Sequence, residues 1–85
     1  MLKKYRKQID KIDKKLVKLF EKRMDISKCV GEYKKANNIK ILDAEREREV
    51  LSRRTSQIKN QEYKEYAKDF FENLMHMSKE IQNKK

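Results

Sequence analysis

The sequence predicts an all-α protein of three helices, one long, one short and one medium, in an intertwined homodimeric bundle. Three observations predict it. There is no Pro and a single Gly in 85 residues, so the breakers and positive-φ positions of a turn-rich β architecture are missing. Apolar residues recur at alternating steps of three and four from Leu2 to Tyr33, the seam of one long helix lying along another. Only 36% of residues are apolar against 45% charged, too few for so short a chain to enclose a core alone. A second copy that binds only the folded chain enlarges that core and stabilises it by mass action.

The first helix carries the stripe Leu2, Tyr5, Ile9, Ile12, Leu16, Leu19, Arg23, Ile26, Val30 and Tyr33. At 1.5 Å per residue such a rod is about 50 Å long, more than a globule of this size can wrap unaided. The stripe fades at Ala36-Asn37-Asn38, where Asn offers a C-terminal stop. A linker from Ile39 to Leu42 leads to Asp43, a favoured N-cap, and Glu45 and Glu47 suit the positive end of the next helix dipole. This second helix runs from about Ala44 to about Gln57, with Val50, Leu51 and Ile58 as a thin apolar face. Ser56 to Asn60 is a polar connection. The third helix runs from about Gln61 to the end, with Tyr63, Ala67, Phe70, Phe71, Leu74, Ser78 and Ile81 facing inward.

Residues 1–85 read as one domain, without internal repeats. The lone Cys29 has no intrachain disulfide partner, which suits a reducing compartment, and reads as a small apolar helix residue. No apolar run reaches the length of a membrane span, and Met1-Leu2-Lys3-Lys4 is not followed by the apolar core of a leader peptide. The expected location is the cytoplasm. The balance of 24 basic against 14 acidic residues, net +10, calls for anionic partners: nucleic acid, acidic lipid or small carboxylates.

Where the basic residues fall decides among these. Lys3, Lys4, Lys11, Lys14, Lys15, Lys18 and Lys22 belong to a solvated face. Arg23 does not. It takes a seam position between Leu19 and Ile26 where a leucine is expected, and a buried guanidinium is costly unless paired. Either Asp13 or Glu47 pairs with it, or its stem snorkels, or a site there supplies an anion. Lys34 follows eleven residues later, a rotation of only about 20° and a rise of roughly 16 Å, so the two side chains can lean toward one gap. Arg6, roughly 26 Å from Arg23 along the same rod, reaches that gap only from a partner chain in antiparallel pairing. On the second helix Arg46 and Glu47 lie beside Val50 and Leu51, and first-turn charge stabilising the helix start accounts for Glu45 and in part for Glu47. On the third, Ser78 and Gln82 follow Phe71 and Met75 at helical spacing and point inward. His76 falls on the opposite face, as a surface residue.

The sequence carries no Ser/His/Asp or Cys/His set, no Gly-rich phosphate loop and no His/Cys cluster with metal spacing. No metal or cofactor is expected. Any chemistry has to come from positioned charge and hydrogen bonds.

These residues, in this order, resemble the all-helical class of chorismate mutases, the small dimeric kind. The match runs from Leu2, Arg6, Ile9-Asp10, Ile12-Asp13, Leu16, Leu19 and Arg23 through Val30-Gly31 and Lys34. It is strongest at Asp43-Ala44-Glu45-Arg46-Glu47, the family's D-x-x-R-E segment, and ends at Phe70-Phe71 and the pair Ser78 and Gln82. The connection between the second and third helices looks about one residue shorter than in the family. The resemblance implies two chains with entwined first helices and two sites, each built from both subunits. It implies that Arg23 and the partner's Arg6 grip the two carboxylates of chorismate. Lys34 and Gln82 then hydrogen-bond the ether oxygen, Glu47 takes the ring hydroxyl, and Asp43, Arg46 and Ser78 complete the pocket. The implied reaction is chorismate to prephenate, toward phenylalanine and tyrosine, which needs no nucleophile, base or metal.

Two rivals stand beside it. Isochorismate-pyruvate lyase shares a related helical fold, and the intact Asp43-x-x-Arg46-Glu47 segment favours the mutase. A basic helical nucleic-acid-binding module should cluster its basic residues on one exposed face with aromatics among them. Here the lysines scatter around the first helix, so neither nucleic acid nor membrane is an expected partner.

Overall fold

A computed structural model describes residues 1–84. It contains α1 (Leu2–Ala36), α2 (Ala44–Gln57), a 3-10 turn (Gln61–Tyr63) and α3 (Lys64–Asn83), the all-α order that the periodicity predicts. Helix α1 has 35 residues, about 52 Å of rod, and by itself sets the 54 Å length of the molecule. The shortest dimension is 14 Å, little more than the diameter of one helix. The molecule is therefore thin, with little depth in which to bury a core.

Helix ends follow local chemistry. At the end of α1, Asn38 adopts φ 56°. The Ile39 amide donates to the Lys34 carbonyl at 2.8 Å and the Asn38 amide to the Lys35 carbonyl at 3.4 Å, the two bonds of a Schellman cap. Asn tolerates the left-handed region better than most residues, but Gly pays no Cβ penalty there. Asn38→Gly should therefore raise stability by up to about 1 kcal/mol, read as a higher denaturation midpoint at fixed protein concentration; a lower midpoint would contradict the cap. Helix α2 starts where Asp43 predicts, its Oδ1 accepting from the Arg46 amide at 3.0 Å. The third element differs from expectation at its start. Asn60 Oδ1 accepts from the Glu62 amide and winds Gln61–Tyr63 into a 3-10 turn, so α3 begins at Lys64.

Helix α3 packs against both α1 and α2, while the backbones of α1 and α2 stay apart. The α1–α3 contact uses small residues. Gly31 and Ser27 are buried, and Ser27 and Ser78 share a hydroxyl–hydroxyl bond in the interface. A Cβ on Gly31 would lie 2.7 Å from Gln82 Cα and 2.7 Å from its carbonyl oxygen, so glycine is what lets the two helices come this close.

The buried apolar side chains are Met24, Leu74 and Met75. On α1 the buried strip Met24, Ser27 and Gly31 is rotated away from the long apolar stripe. That stripe stays open: Leu2, Tyr5, Ile9, Ile12, Leu16 and Leu19 are 48–62% exposed. On α3 the inward assignment holds for Leu74 and Ser78, whereas Tyr63 and Phe70 are more than half exposed, because α1 and α2 cover only the other flank of this helix. No helix among the described residues is long and apolar enough to cross a membrane.

Candidate active site

Because α1 and α2 each lean on α3 with their own backbones apart, a cleft of about 590 Å³ opens between them with α3 as its floor. Seven of the eight residues singled out in the sequence line it: Arg23 and Lys34 from α1, Asp43, Arg46 and Glu47 from the start of α2, and Ser78 and Gln82 from α3. The eighth, Arg6, lies exposed near the start of α1 and is not part of it.

Arg23 is half-buried. Its Nη1 atom is shielded from solvent and has no hydrogen-bond partner, and none of the ion pairs among the described residues involves it. Neither Asp13 nor Glu47 neutralises it. Burial first, and the positive charge of Arg54 second, hold its pKa below the ordinary arginine value. Both causes penalise the charged form, so the cleft holds a cation that it does not itself compensate.

Lys34 Nζ donates to the Ile41 carbonyl at 3.1 Å. This bond ties the side chain to the α1–α2 linker and leaves two of its three N–H donors for the cleft. Glu47 Oε1 pairs with Lys79 Nζ at 3.0 Å, both about one-third exposed or less, bridging α2 to α3. Arg46 sits at the rim, paired with Glu49 at 3.2 Å and more than half exposed. Ser78 is committed to Ser27 and accepts a long 3.4 Å bond from Gln82 Nε2. It therefore holds the amide in place, and the buried Gln82 Oε1 has no partner.

Sequence reasoning missed Arg54, Lys79, Ser27 and Ile41, which also line the cleft. Arg54 lies seven residues after Glu47 and four after Val50, the spacing of one helix face, and that signal could have found it. With it, five basic side chains (Arg23, Lys34, Arg46, Arg54 and Lys79) face two carboxylates (Asp43 and Glu47). Such a surplus of positive charge between low-dielectric walls attracts and holds a small polyanion. Among the described residues no group of three or more His, Cys, Asp or Glu side chains could hold a metal ion. His76 pairs with Glu80 on the surface, and Cys29 is exposed and so is not core packing in this chain.

A family model described as chorismate mutase type II matches residues 5–83. The chain belongs to the chorismate mutase type II family. A bifunctional chorismate mutase/prephenate dehydratase from Aquifex aeolicus (strain VF5) is 40% identical over 52 residues, 61% of this chain but only 14% of that protein. The chain thus spans about a seventh of this curated relative. Over nearly the whole length, the fold is similar to that of a conserved hypothetical protein from Pyrococcus furiosus, with a TM-score of 0.79 and 39% identity, covering 96% of this chain and 95% of that one. Within this family the cleft of α1, α2 and α3 is the candidate active site.

Proposed function

We propose that residues 1–85 form one catalytic unit, an isomerase of the cytoplasm that converts chorismate to prephenate as a homodimer in phenylalanine and tyrosine biosynthesis. The observation that carries this reading is Arg23 Nη1, a buried and unpartnered cationic donor in a cleft with excess positive charge. A doubly negative guest supplies what that side chain lacks. The open stripe from Leu2 to Leu19 supports the dimer: antiparallel pairing of two α1 helices covers it and carries Arg6 of the partner subunit toward Arg23.

In the rearrangement the ether C–O bond breaks as a C–C bond forms, with no net transfer of a proton or electron to any other group. Arg23 and the partner's Arg6 fix the two carboxylates and so select the compact conformer in which the reacting carbons meet. Lys34, with its free donors, and Gln82, whose amide leaves a long bond to Ser78, stabilise charge growing on the ether oxygen. Glu47 accepts from the ring hydroxyl once substrate loosens its pair with Lys79. Gln82 is neutral, so its hydrogen bond adds no titration to the pH profile.

The test follows the loss of chorismate absorbance with purified protein, with isochorismate in a parallel assay. Prephenate from the first and no pyruvate from the second supports the mutase. Pyruvate release alone makes the protein a lyase, and inertness toward both, with salt-sensitive DNA binding, revives the nucleic-acid reading.

A further inference from the structure

We propose that Arg54 is a further guanidinium of the substrate grip, facing Arg23 across the cleft and clamping a carboxylate with it. This inference rests on the reading of the cleft as a dicarboxylate site. Arg54 lines the same cleft as Arg23 from the opposite wall, α2 facing α1. It is half-buried, and its hydrogen bond is to a neutral partner, Gln57 Oε1 at 3.3 Å. No carboxylate among the described residues pairs with it or with Arg23. Of the other cleft cations, Arg46 pairs with Glu49 and Lys79 with Glu47, while Lys34 is tied by one donor to the Ile41 carbonyl and keeps its charge for the cleft. The two arginines are thus the cleft guanidiniums left without a carboxylate, close enough that Arg54 depresses the ionisation of Arg23.

Two like charges on facing walls repel while the cleft lacks an anion. A carboxylate between them turns that repulsion into two charge-assisted hydrogen-bonding contacts. The arrangement destabilises the empty site and favours the filled one, so Arg54 acts mainly on binding and orientation. Guanidinium geometry matters here, because a planar fork matches a carboxylate and an ammonium does not.

The experiment uses Arg54→Gln and Arg54→Lys in the whole protein, with two readouts. One is the steady-state split between KM and kcat on chorismate. The other is the thermal midpoint with and without benzene-1,3-dicarboxylate, a rigid compact dianion that is not turned over. For Arg54→Gln we expect a KM at least about tenfold higher with a smaller change in kcat, the loss corresponding to one charged contact. We also expect most of the dianion-induced rise in midpoint to vanish, and a ligand-free midpoint equal to or above the parent's. Arg54→Lys should recover only part of both.

An unchanged KM and an unchanged dianion response would overturn the clamp. So would a lower ligand-free midpoint with an unchanged KM, the signature of a structural ion pair with a partner chain. If the parent protein binds the dianion through Arg54 but leaves chorismate untouched, the proposed reaction fails and the clamp stands. If chorismate turns over and Arg54→Gln matches the parent, the reverse holds.

Discussion

Arg23→Leu is expected to lose about two to three orders of magnitude in kcat/KM on chorismate, with the protein folded and its thermal midpoint equal to or above the parent's. The direction of the stability change follows from the charge. A base whose pKa falls on folding destabilises the native state whenever it is charged, and Arg23 is depressed by burial and by Arg54. At any pH below the depressed value that cost is present, and it vanishes only as the group loses its proton at extreme alkaline pH. Leucine removes the charge and keeps an apolar stem at a seam position between Leu19 and Ile26, where Ala would also lose packing. Loss of activity with gain of stability separates a binding residue from a structural one; loss of both would mean that Arg23 holds the fold together through a partner.

The same variant tests the shared site. Arg6 is exposed and outside the cleft of its own chain, so a cross-subunit site predicts complementation. Arg6→Ala and Arg23→Leu homodimers each lack one clamp in both sites. After mixing and subunit exchange, each heterodimer carries one intact site and one doubly altered site. Random pairing then restores about a quarter of parental activity. If activity fails to return although heterodimers form, Arg6 is not shared in this way.

How much of this was legible in the sequence depends on what each signal reports. The bounds of α2 were legible because Asp43 caps its start and the polar stretch after Gln57 ends it. Arg23 was legible because a cation at a seam position contradicts the pattern around it, and Lys34 because eleven residues bring it back to nearly the same side of the helix. The face that α1 turns to its own chain was not legible. A hydrophobic stripe marks the largest apolar surface, whereas α3 chose the strip of Ser27 and Gly31, where small side chains allow close approach. Arg54 and Lys79 were missed because long basic residues on a highly charged chain look like solvated surface. Only the meeting of α2 with α3 puts Lys79 against Glu47. Helical spacing predicts Phe70 and Tyr63 as inward, but spacing says which residues share a face and not which neighbour covers it.

Gly31→Ala gives the sharpest conflict between a local and a tertiary rule. Helix propensity alone favours alanine over glycine in the interior of α1 by up to about 1 kcal/mol. The crossing predicts the opposite. The new Cβ would meet Gln82 Cα and its carbonyl oxygen, each at 2.7 Å, and these are backbone atoms that cannot swing aside. Ordinary carbon contacts need about 3.5–4.0 Å, so α3 has to move off α1 by roughly 1 Å. Overpacking of this kind costs about 1–3 kcal/mol. The shift also strains the buried Ser27–Ser78 bond one turn away, whose loss leaves the Ser27 hydroxyl unpaired at about 1–3 kcal/mol. Together these outweigh the propensity gain, so the variant should be less stable. It carries Gln82 with it, and misplacing a reacting group by about 1 Å can cost on the order of 10² in rate. Replacing Ser27 and Ser78 together by Ala should come close to neutral in stability, because both partners leave at once, and this double variant isolates the steric effect of residue 31. A Gly31→Ala protein with the parental midpoint and parental kcat/KM would mean that α3 does not cross α1 at this distance, and the floor of the cleft would have to be redrawn.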